Sequence, residues 1–323
     1  MIRVGVTDYV EPPYDIEREA YPGAEFFVAD PDDLGGLNAA LVWHASIDAH
    51  FVARLTNCRI VVRYGVGFES VDVGALHSRG IAFSNTPDYG IQEVADTTCS
   101  MILTLCRRTS EYDDRARAYR SGWQENILTS TTRISEMAVG VVGTGRIGTA
   151  VIQRLKAFGF TILGYDPYVP SGYEKAVGFT RVSTLEDLLT QSDIVTLHCP
   201  ENDETRGMVD EGFLAQMRPG SLLINTARGS LLAGLTPLEN ALREGVVRAA
   251  GLDVLPEEPP DGDHQLIAAW SSREDWLRGR LIINPHSAYY SETAWREMRF
   301  KAAETIRLFL ETGVLRNEVL PDS

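Results

Sequence analysis

The stretch Gly140-Val141-Val142-Gly143-Thr144-Gly145-Arg146-Ile147-Gly148 decides the fold of this chain. An apolar strand runs into three glycines at G-x-G-x-x-G spacing, and residues 149–159 continue with a helical pattern. In such a motif Gly143 makes the tight turn, Gly145 lets the backbone approach a pyrophosphate, and Gly148 lets the helix pack on the strand. The stretch therefore predicts a dinucleotide-binding βαβ unit, with unpaired N–H groups at the helix start facing the phosphates.

An acidic residue supports this interpretation of the glycines. A second apolar strand over residues 161–165 ends in Asp166, at about the 20-residue spacing that the motif requires. A carboxylate at this place accepts hydrogen bonds from both ribose hydroxyls and repels a 2′-phosphate, which favours NAD over NADP. The alternative is a glycine-rich turn in an ordinary α/β domain.

Bulk composition limits the remaining possibilities. With 323 residues, of which 44% are hydrophobic, the chain can form two domains with their own cores. No apolar run reaches the ~18 residues that a membrane span needs, and the first residues predict a short strand instead of a signal peptide. These features predict a cytoplasmic protein. The four cysteines lack C-x-x-C spacing, so neither a disulfide framework nor a metal site is indicated.

The net charge of −15 bears on the kind of partner. Nucleic acids and anionic membranes need a basic surface, so the sequence predicts neither as a partner. A small anionic substrate stays possible, because a few arginines in one site can outweigh a distant acidic surface.

The first hundred residues alternate apolar strands with amphipathic segments, which predicts a parallel sheet. Strands are predicted at residues 2–7, 39–43, 60–64 and 81–84, and helices at 48–55 and 73–79.

The segment Arg63-Tyr64-Gly65-Val66-Gly67-Phe68 lies at the C-terminal end of the third of these predicted strands. Ligands bind at such strand ends, and Gly65 and Gly67 would expose backbone N–H groups to a small anion. The alternative is a plain turn with an exposed arginine.

The rest of the chain predicts a second doubly wound sheet. A long helix over residues 92–120 carries an apolar stripe, and its length indicates a crossing between domains or a subunit contact. Residues 121–134 form a connection, and Ser183 with Glu186 reads as a capping box. The remaining predictions are strands at 194–198, 221–226, 248–254 and 281–284, a short surface helix within 264–278 and a last helix at 291–312.

Three polar residues fall at the predicted ligand edge of this second sheet. Arg228, Glu258 and His286 each follow a predicted strand. Hydride transfer between a nicotinamide and a 2-hydroxy acid needs a cation for the carboxylate and carbonyl, and an arginine binds bidentately. It also needs a group that exchanges the hydroxyl proton, usually a histidine, and a nearby carboxylate would orient that ring and favour the imidazolium.

Alternatives remain open for the roles of these polar residues. His264 lies closer to Glu258 in sequence and competes with His286. Arg228 could be a surface ion-pair partner. Asp253 is interpreted as a supporting or cofactor-facing residue and not as a catalytic one.

Several blocks of the sequence resemble the D-2-hydroxyacid dehydrogenase family. The matching blocks are residues 143–148, 225–229, 251–254 with Glu258-Pro259, and 284–288. Within the family it is most similar to the C-terminal binding protein branch, through residues 62–68, 95–98, 107–109, 156–160, 165–168, 182–185 and 196–199.

The resemblance implies the fold and the site. The fold would be α/β with two Rossmann-like doubly wound parallel-sheet domains: a discontinuous substrate-binding domain of residues 1–98 and 289–323, and an NAD-binding domain of residues 99–288. The implied catalytic residues are Arg228, Glu258 and His286. The implied substrate-binding residues are Arg63, Val66, Gly67 and Tyr289, the last in the place of a tryptophan of that branch. The implied cofactor-binding residues are Thr98, Gly143, Gly145, Arg146, Ile147, Gly148, Asp166, Cys199, Pro200, Thr205, Thr226 and Asp253.

The expected function is NAD-dependent interconversion of a D-2-hydroxy acid and its 2-keto acid, with His286 as proton donor and acceptor. The rival expectation is an NAD(H)-sensing interaction module of the corepressor type in the same branch. A homodimer formed through the helix at 92–120 is a further expectation.

Overall fold

The computed structural model describes residues 1–117, 123–124, 127–128 and 131–321. The chain separates into two compact units, Met1–Gly90 with Tyr290–Ser323 (unit 1) and Ile91–Tyr289 (unit 2). Unit 2 begins earlier than the expected boundary at 98/99, because the helix that starts at Ile91 runs unbroken into that unit. The predicted connection at 121–134 lies partly outside the described residues.

Unit 1 is built on a parallel five-stranded sheet with the order β2-β1-β3-β4-β5. Its strands are β1 (Ile2–Val6), β2 (Ala24–Val28), β3 (Ala39–Val42), β4 (Ile60–Arg63) and β5 (Ala82–Ser84). Its helices are α1 (Asp15–Ala20), α2 (Ala49–Arg54), α3 (Val73–Ser78) and, after the chain returns, α12 (Glu292–Thr312).

The central strands of unit 1 are continuous apolar runs, as expected when both faces of a parallel sheet are covered. Helix α12 packs on β4 and on α1. A buried ion pair between Arg299 and Glu17 joins these two helices, with Nε–Oε1 and Nη2–Oε2 distances of 2.7 Å each. The hydroxyl of Tyr64 donates to the same carboxylate at 2.8 Å. The two ends of the chain therefore form one folded body.

Unit 2 is built on a parallel seven-stranded sheet with the order β12-β11-β10-β9-β6-β7-β8. Its strands are β6 (Ala138–Val142), β7 (Thr161–Tyr165), β8 (Thr180–Arg181), β9 (Ile194–Leu197), β10 (Ser221–Asn225), β11 (Val247–Leu252) and β12 (Leu281–Ile283). Its helices are α4 (Ile91–Arg107), α5 (Thr109–Arg117), α6 (Arg146–Ala157), α7 (Tyr173–Val177), α8 (Leu185–Gln191), α9 (Glu211–Gln216), α10 (Leu235–Glu244) and α11 (Gln265–Ser271).

Alternating side chains of the unit 2 strands enter two cores on opposite faces of the sheet. On β10, for example, Leu223 belongs to one core, whereas Leu222 and Ile224 belong to the other. The chain order reverses where β6 lies between β7 and β9, which is the topological switch point where such sheets bind ligands. Two doubly wound parallel sheets confirm the predicted fold class.

The predicted long helix at 92–120 is wrong as a single element. It breaks at Arg108, which has φ +54°, and α5 starts at the next residue. Arg108 forms two 2.9 Å hydrogen bonds with Glu111, so this side chain holds the bend. The apolar stripe of α4 is buried in unit 2 itself, and it therefore does not provide a subunit-contact surface.

Two local predictions differ in detail from the structure. The cap of α8 is Thr184, whose side chain accepts from the amide of Asp187, so the Ser183–Glu186 capping box is wrong by one residue. The predicted surface helix within 264–278 is α11, which is exposed at Ala268 and Trp270 but also buries Leu266 and Ile267 in the core of unit 2, a contact that was not predicted.

Candidate active site

The glycine loop after β6 has the close approaches that its sequence predicts. Gly143 has φ +86°, and a Cβ there would lie 2.6 Å from the amide nitrogen of Cys199. A Cβ on Gly148 would lie 2.1 Å from the carbonyl oxygen of Gly143. At Gly145, by contrast, no other described residue comes within 4 Å of the Cβ position. The loop is therefore closed on the sheet side and open at the start of α6.

The start of α6 suits an anionic group. Gly145 is its N-cap and has no side chain that could occupy the first amides of the helix. Arg146 is exposed at the first position, whereas Ile147 packs against the core. A twelve-residue helix presents its N–H groups and the positive end of its dipole to this open space.

Asp166 follows β7 and is held by the glycine loop. Its Oδ2 accepts from the amide of Thr144 at 2.8 Å, and its Oδ1 accepts from the amide of Tyr168 at 3.0 Å. The carboxylate is thus fixed beside the loop, where a ribose would be bound if the phosphates lie at Gly145.

The segment after β9, residues 198–205, lies against Gly143 and is held together by internal hydrogen bonds. The hydroxyl of Thr205 donates to the carbonyl of Pro200 at 2.6 Å and accepts from the amide of Asn202 at 2.9 Å. Burial raises the pKa of Cys199 to about 11, so this residue is a neutral thiol at physiological pH.

Two buried threonines connect α4 with the end of β10. The hydroxyl oxygens of Thr98 and Thr226 are 2.8 Å apart. Thr98 donates its proton to the carbonyl of Val94 at 2.7 Å, so Thr226 is the donor in the Thr–Thr bond.

Arg228 lies in a turn that Asn225 shapes. The amide of Ala227 donates to Oδ1 of Asn225 at 3.0 Å, and Nδ2 of Asn225 donates to the carbonyl of Arg228 at 2.8 Å. The half-buried guanidinium of Arg228 donates through Nη1 to the carbonyl of Ala227 at 2.8 Å. Asn225 was not among the predicted site residues, although an asparagine at a strand end is a known turn former.

Glu258 and His286 are in direct contact. The Nδ1 atom of His286 lies 2.7 Å from Oε2 of Glu258, and Oε1 accepts from the amide of Leu255 at 2.9 Å. Burial raises the pKa of Glu258, but the hydrogen bonds from His286 and Leu255 and the charge of Arg228 outweigh it and leave the pKa below its usual value. Glu258 is therefore a carboxylate near neutral pH.

Asp253 holds the backbone that carries His286. The amides of Ser287 and Ala288 donate to the Asp253 carboxylate at 3.0 Å, and the amide of His286 donates to the Asp253 carbonyl at 2.8 Å. His286 itself has φ +51°. Burial raises the pKa of Asp253, against the lowering effect of the Ala288 and Ser287 amides. Asp253 thus supports the backbone of residues 286–288, which carries the His286 side chain.

Sheet register brings the three predicted catalytic residues to one edge. Asn225 of β10 pairs with Leu252 of β11, and Leu252 pairs with Ile283 of β12. A Cβ on Gly229 would lie 1.8 Å from the carbonyl oxygen of Leu255, so the turn of Arg228 packs on the segment that leads to Glu258.

The competing histidine has a different environment. His264 is the N-cap of α11, and its Nδ1 accepts from the amide of Leu266 at 3.2 Å. Its Nε2 lies 3.3 Å from the hydroxyl of Thr236. The side chain therefore stabilises a helix end.

The predicted substrate loop belongs to unit 1. Arg63 is half-buried and donates to the carbonyl of Tyr64, Val66 is exposed, and Gly67 is buried. The amide of Gly65 donates to the Thr86 hydroxyl at 2.6 Å, so the expectation that this N–H faces an anion is wrong. Tyr289, the remaining predicted substrate residue, is the half-buried last residue of unit 2.

Two features are absent from the ranges that the structure describes. There, no group of three or more His, Cys, Asp or Glu side chains is arranged to hold a metal ion. In the same ranges, no helix combines the length and the apolar character needed to cross a membrane.

One family model and two curated proteins match more than half of the chain each. Residues 99–288 match the family described as "D-isomer specific 2-hydroxyacid dehydrogenase, NAD binding domain". The chain is 35% identical over 296 residues to D-3-phosphoglycerate dehydrogenase of Mycobacterium leprae (strain TN), covering 88% of this chain and 53% of that protein. It is 33% identical over 276 residues to C-terminal-binding protein 1 of Caenorhabditis elegans, covering 83% of this chain and 37% of that protein. The chain thus spans about half or less of the length of these curated relatives.

A solved structure is similar along nearly the whole chain. The D-lactate dehydrogenase of Aquifex aeolicus, complexed with NAD and lactic acid, superposes with a TM-score of 0.82 at 25% identity. The match covers 99% of this chain and 100% of that one.

Proposed function

Because the chain belongs to the D-isomer-specific 2-hydroxyacid dehydrogenase family, we propose that it interconverts a D-2-hydroxy acid and its 2-keto acid by hydride transfer. NAD is its cofactor. The observation that carries the proposal is the 2.7 Å contact of His286 with Glu258, on the sheet edge that also holds Arg228. A carboxylate, an imidazole and a guanidinium are the groups that this reaction requires.

The cofactor-binding residues fit a dinucleotide. The open space at Gly145 and the first amides of α6, from Arg146 and Ile147 onward, would hold the pyrophosphate, and Asp166 would accept from the ribose hydroxyls. When bound, the nicotinamide donates or accepts the hydride. Further cofactor contacts are proposed for Thr98, Gly143, Gly148, Cys199, Pro200, Thr205, Thr226 and Asp253.

Arg228 would bind the carboxylate and polarise the carbonyl of the keto acid. Its guanidinium is planar, permanently charged and held by the carbonyl of Ala227. As the carbonyl oxygen gains negative charge during reduction, a fixed positive group beside it stabilises that charge more than the ground state.

His286 would transfer the proton. Its Nδ1 is bonded to Glu258, so Nε2 is the atom that faces the reaction. In reduction the carbonyl carbon receives the hydride, the carbonyl oxygen takes the Nε2 proton, and Glu258 stabilises the imidazolium before transfer. In oxidation the neutral imidazole takes the hydroxyl proton back.

The remaining substrate contacts are proposed from the resemblance. Arg63 and the backbone at Val66 and Gly67 would contact the substrate carboxylate, and Tyr289 would give an aromatic wall. The homodimer and the cytoplasmic location are likewise proposals. With the stripe of α4 buried inside unit 2, the dimer proposal is supported by the family resemblance alone.

A second candidate is an NAD(H)-sensing interaction module of the C-terminal binding protein corepressor type. The 33% identity to C-terminal-binding protein 1 favours it. The experiment that separates the two is NADH oxidation with a panel of glyoxylate, pyruvate, hydroxypyruvate, branched and aromatic 2-keto acids. Turnover of one or more acids supports the dehydrogenase, whereas tight NADH binding without turnover contradicts it and supports the interaction module.

A further inference from the structure

We propose that the carboxyl-end surface of the unit 1 sheet binds an aromatic ring, so that the substrate is an aromatic 2-keto acid or the corresponding D-2-hydroxy acid. This inference rests on the proposed function and names its substrate class. The surface, called the aromatic surface below, consists of Tyr9, Trp43, His44, Tyr290 and Trp295.

The rings of the aromatic surface come from three parts of the chain and contact one another in tilted or edge-to-face pairs. The ring centroid of Trp43 lies 5.1 Å from that of Tyr9 and 5.1 Å from that of Trp295. The Tyr9 ring lies 5.5 Å from the His44 ring at 88°, and Tyr290 lies 6.5 Å from Trp295. These distances are those of favourable aromatic pairs, so the rings form one continuous layer.

The carboxylate of Asp8 fixes the two loops that carry Tyr9, Trp43 and His44. It accepts from the amides of Trp43 at 2.9 Å, His44 at 2.6 Å and Ala45 at 3.0 Å, and from the hydroxyl of Thr7 at 2.6 Å. The loops after β1 and β3 are therefore tied together. A rigid surface loses little conformational entropy when a ligand ring packs on it.

Tyr9 combines a left-handed backbone conformation with an exposed ring. It has φ +61°, which is rare for a bulky residue, and 64% of it is exposed although Trp43 beneath it is only 3% exposed. Tyr290 is 56% exposed at the other side of the surface. Strained residues that present exposed rings at the ligand edge of a parallel sheet are typical of binding sites.

A cation lies beside the aromatic surface. The guanidinium carbon of Arg63 is 5.7 Å from the Trp43 ring centroid, and Arg63 begins the loop proposed for the substrate carboxylate. A ligand with a carboxylate at one end and an aromatic ring at the other can use both features. Pyruvate or glyoxylate would leave the aromatic surface uncovered, so the arrangement favours aromatic acids.

The test compares kcat/KM for phenylpyruvate and pyruvate. We expect the wild-type enzyme to prefer phenylpyruvate, and Tyr9→Asn to reduce that preference about tenfold, mainly through KM, because one aromatic pair is lost. Asparagine tolerates the left-handed backbone, so the variant keeps the local fold. Tyr9→Phe keeps the ring and should keep the preference. Phe158→Asn, which removes an exposed aromatic residue of unit 2, is the matched control and should change nothing.

Two outcomes overturn the inference while leaving the dehydrogenase intact. One is turnover of small keto acids with no preference for phenylpyruvate, and the other is a preference that Tyr9→Asn does not alter. If neither acid is reduced, the proposed function fails, and binding decides the inference. Calorimetry in the presence of NAD would then show D-phenyllactate bound more tightly than D-lactate, with the difference lost in Tyr9→Asn; equal binding, or binding of neither, overturns it.

Discussion

The residues proposed for the chemistry are held by hydrogen bonds to backbone and side-chain groups around them. Leu255 donates its amide to Glu258, Glu258 binds the ring of His286, and Asp253 accepts from the amides that follow the histidine. Because a general acid must be placed within a fraction of an ångström, we expect such supporting bonds to contribute to the rate.

Replacing Glu258 tests this arrangement. Glu258→Gln removes the negative charge that favours the imidazolium, so we expect kcat for keto-acid reduction to fall by about 10- to 100-fold, while the Kd of NADH stays unchanged. Glu257→Gln, which alters the adjacent exposed carboxylate, is the control and should keep wild-type kcat. An unchanged kcat in Glu258→Gln would remove Glu258 from the mechanism.

The stability difference between Glu258→Gln and the wild-type protein should depend on pH. The folded-state pKa of Glu258 lies below its usual value, so its charged form stabilises the folded protein above the unfolded-state pKa of about 4.3. This contribution is lost as the pH falls through the lowered folded-state pKa. Urea unfolding should therefore show a deficit for Glu258→Gln at about pH 7 that shrinks as the pH falls below about 4. A deficit that grows on acidification would contradict the assignment.

At the scale of elements, strong local patterns predicted the structure and weak ones did not. The strand at residues 161–165 and the helix after the glycines follow from apolar runs and a motif. Strand β2 was missed because it pairs with β1 alone at a sheet edge, and α1 was missed because Tyr14 at its N-cap makes no capping bond. The break at Arg108 could not be predicted, since arginine is a good helix former and the bend depends on Glu111.

Substitutions at two glycines of the same loop are expected to have different effects, one on NADH binding and the other on stability. Gly145→Ala adds a methyl where the structure leaves open space, so the melting temperature should stay at the wild-type value while the NADH Kd rises about tenfold through contact with the phosphates. Gly148→Ala places a methyl against the carbonyl of Gly143, which should cost about 1–3 kcal/mol of unfolding free energy.

Thermal unfolding and fluorescence titration with NADH check both variants. Gly262→Ala is the control, because Gly262 also has open space but lies away from the loop, and it should change neither quantity. Unaltered NADH binding by Gly145→Ala would argue against phosphate binding at the start of α6.

At the scale of the whole molecule, the chain ends meet through one buried ion pair. Glu17 of α1 is fully buried, and Arg299 of α12 is 8% exposed. Arg299→Ala would leave the Glu17 carboxylate buried without its partner, so we expect a loss of about 3–5 kcal/mol in unfolding free energy. The double variant Glu17→Leu/Arg299→Met should recover most of that loss, because an apolar pair leaves no buried charge. A double variant no more stable than Arg299→Ala would show that the pair does not act as proposed.

Most contacts between residues far apart in the sequence could not be predicted. The three residues at the strand ends were predicted because parallel strands share a ligand edge. The aromatic surface was not foreseen, since it joins residues from separate parts of the chain. A supporting role for Asp253 was one of the two that were predicted, but its contacts with the amides of Ser287 and Ala288 were not. Their geometry depends on packing that local sequence does not encode.

The central claim is that His286, supported by Glu258 and beside Arg228, transfers the proton of an NADH-dependent keto-acid reduction. The most direct test is the NADH oxidation rate of His286→Gln beside that of His264→Gln, with the 2-keto acid that the wild-type protein reduces best. We predict a rate at least ~100-fold lower for His286→Gln with NADH binding retained, and near wild-type turnover for His264→Gln. Near wild-type turnover by His286→Gln, or the larger loss in His264→Gln, would contradict the claim.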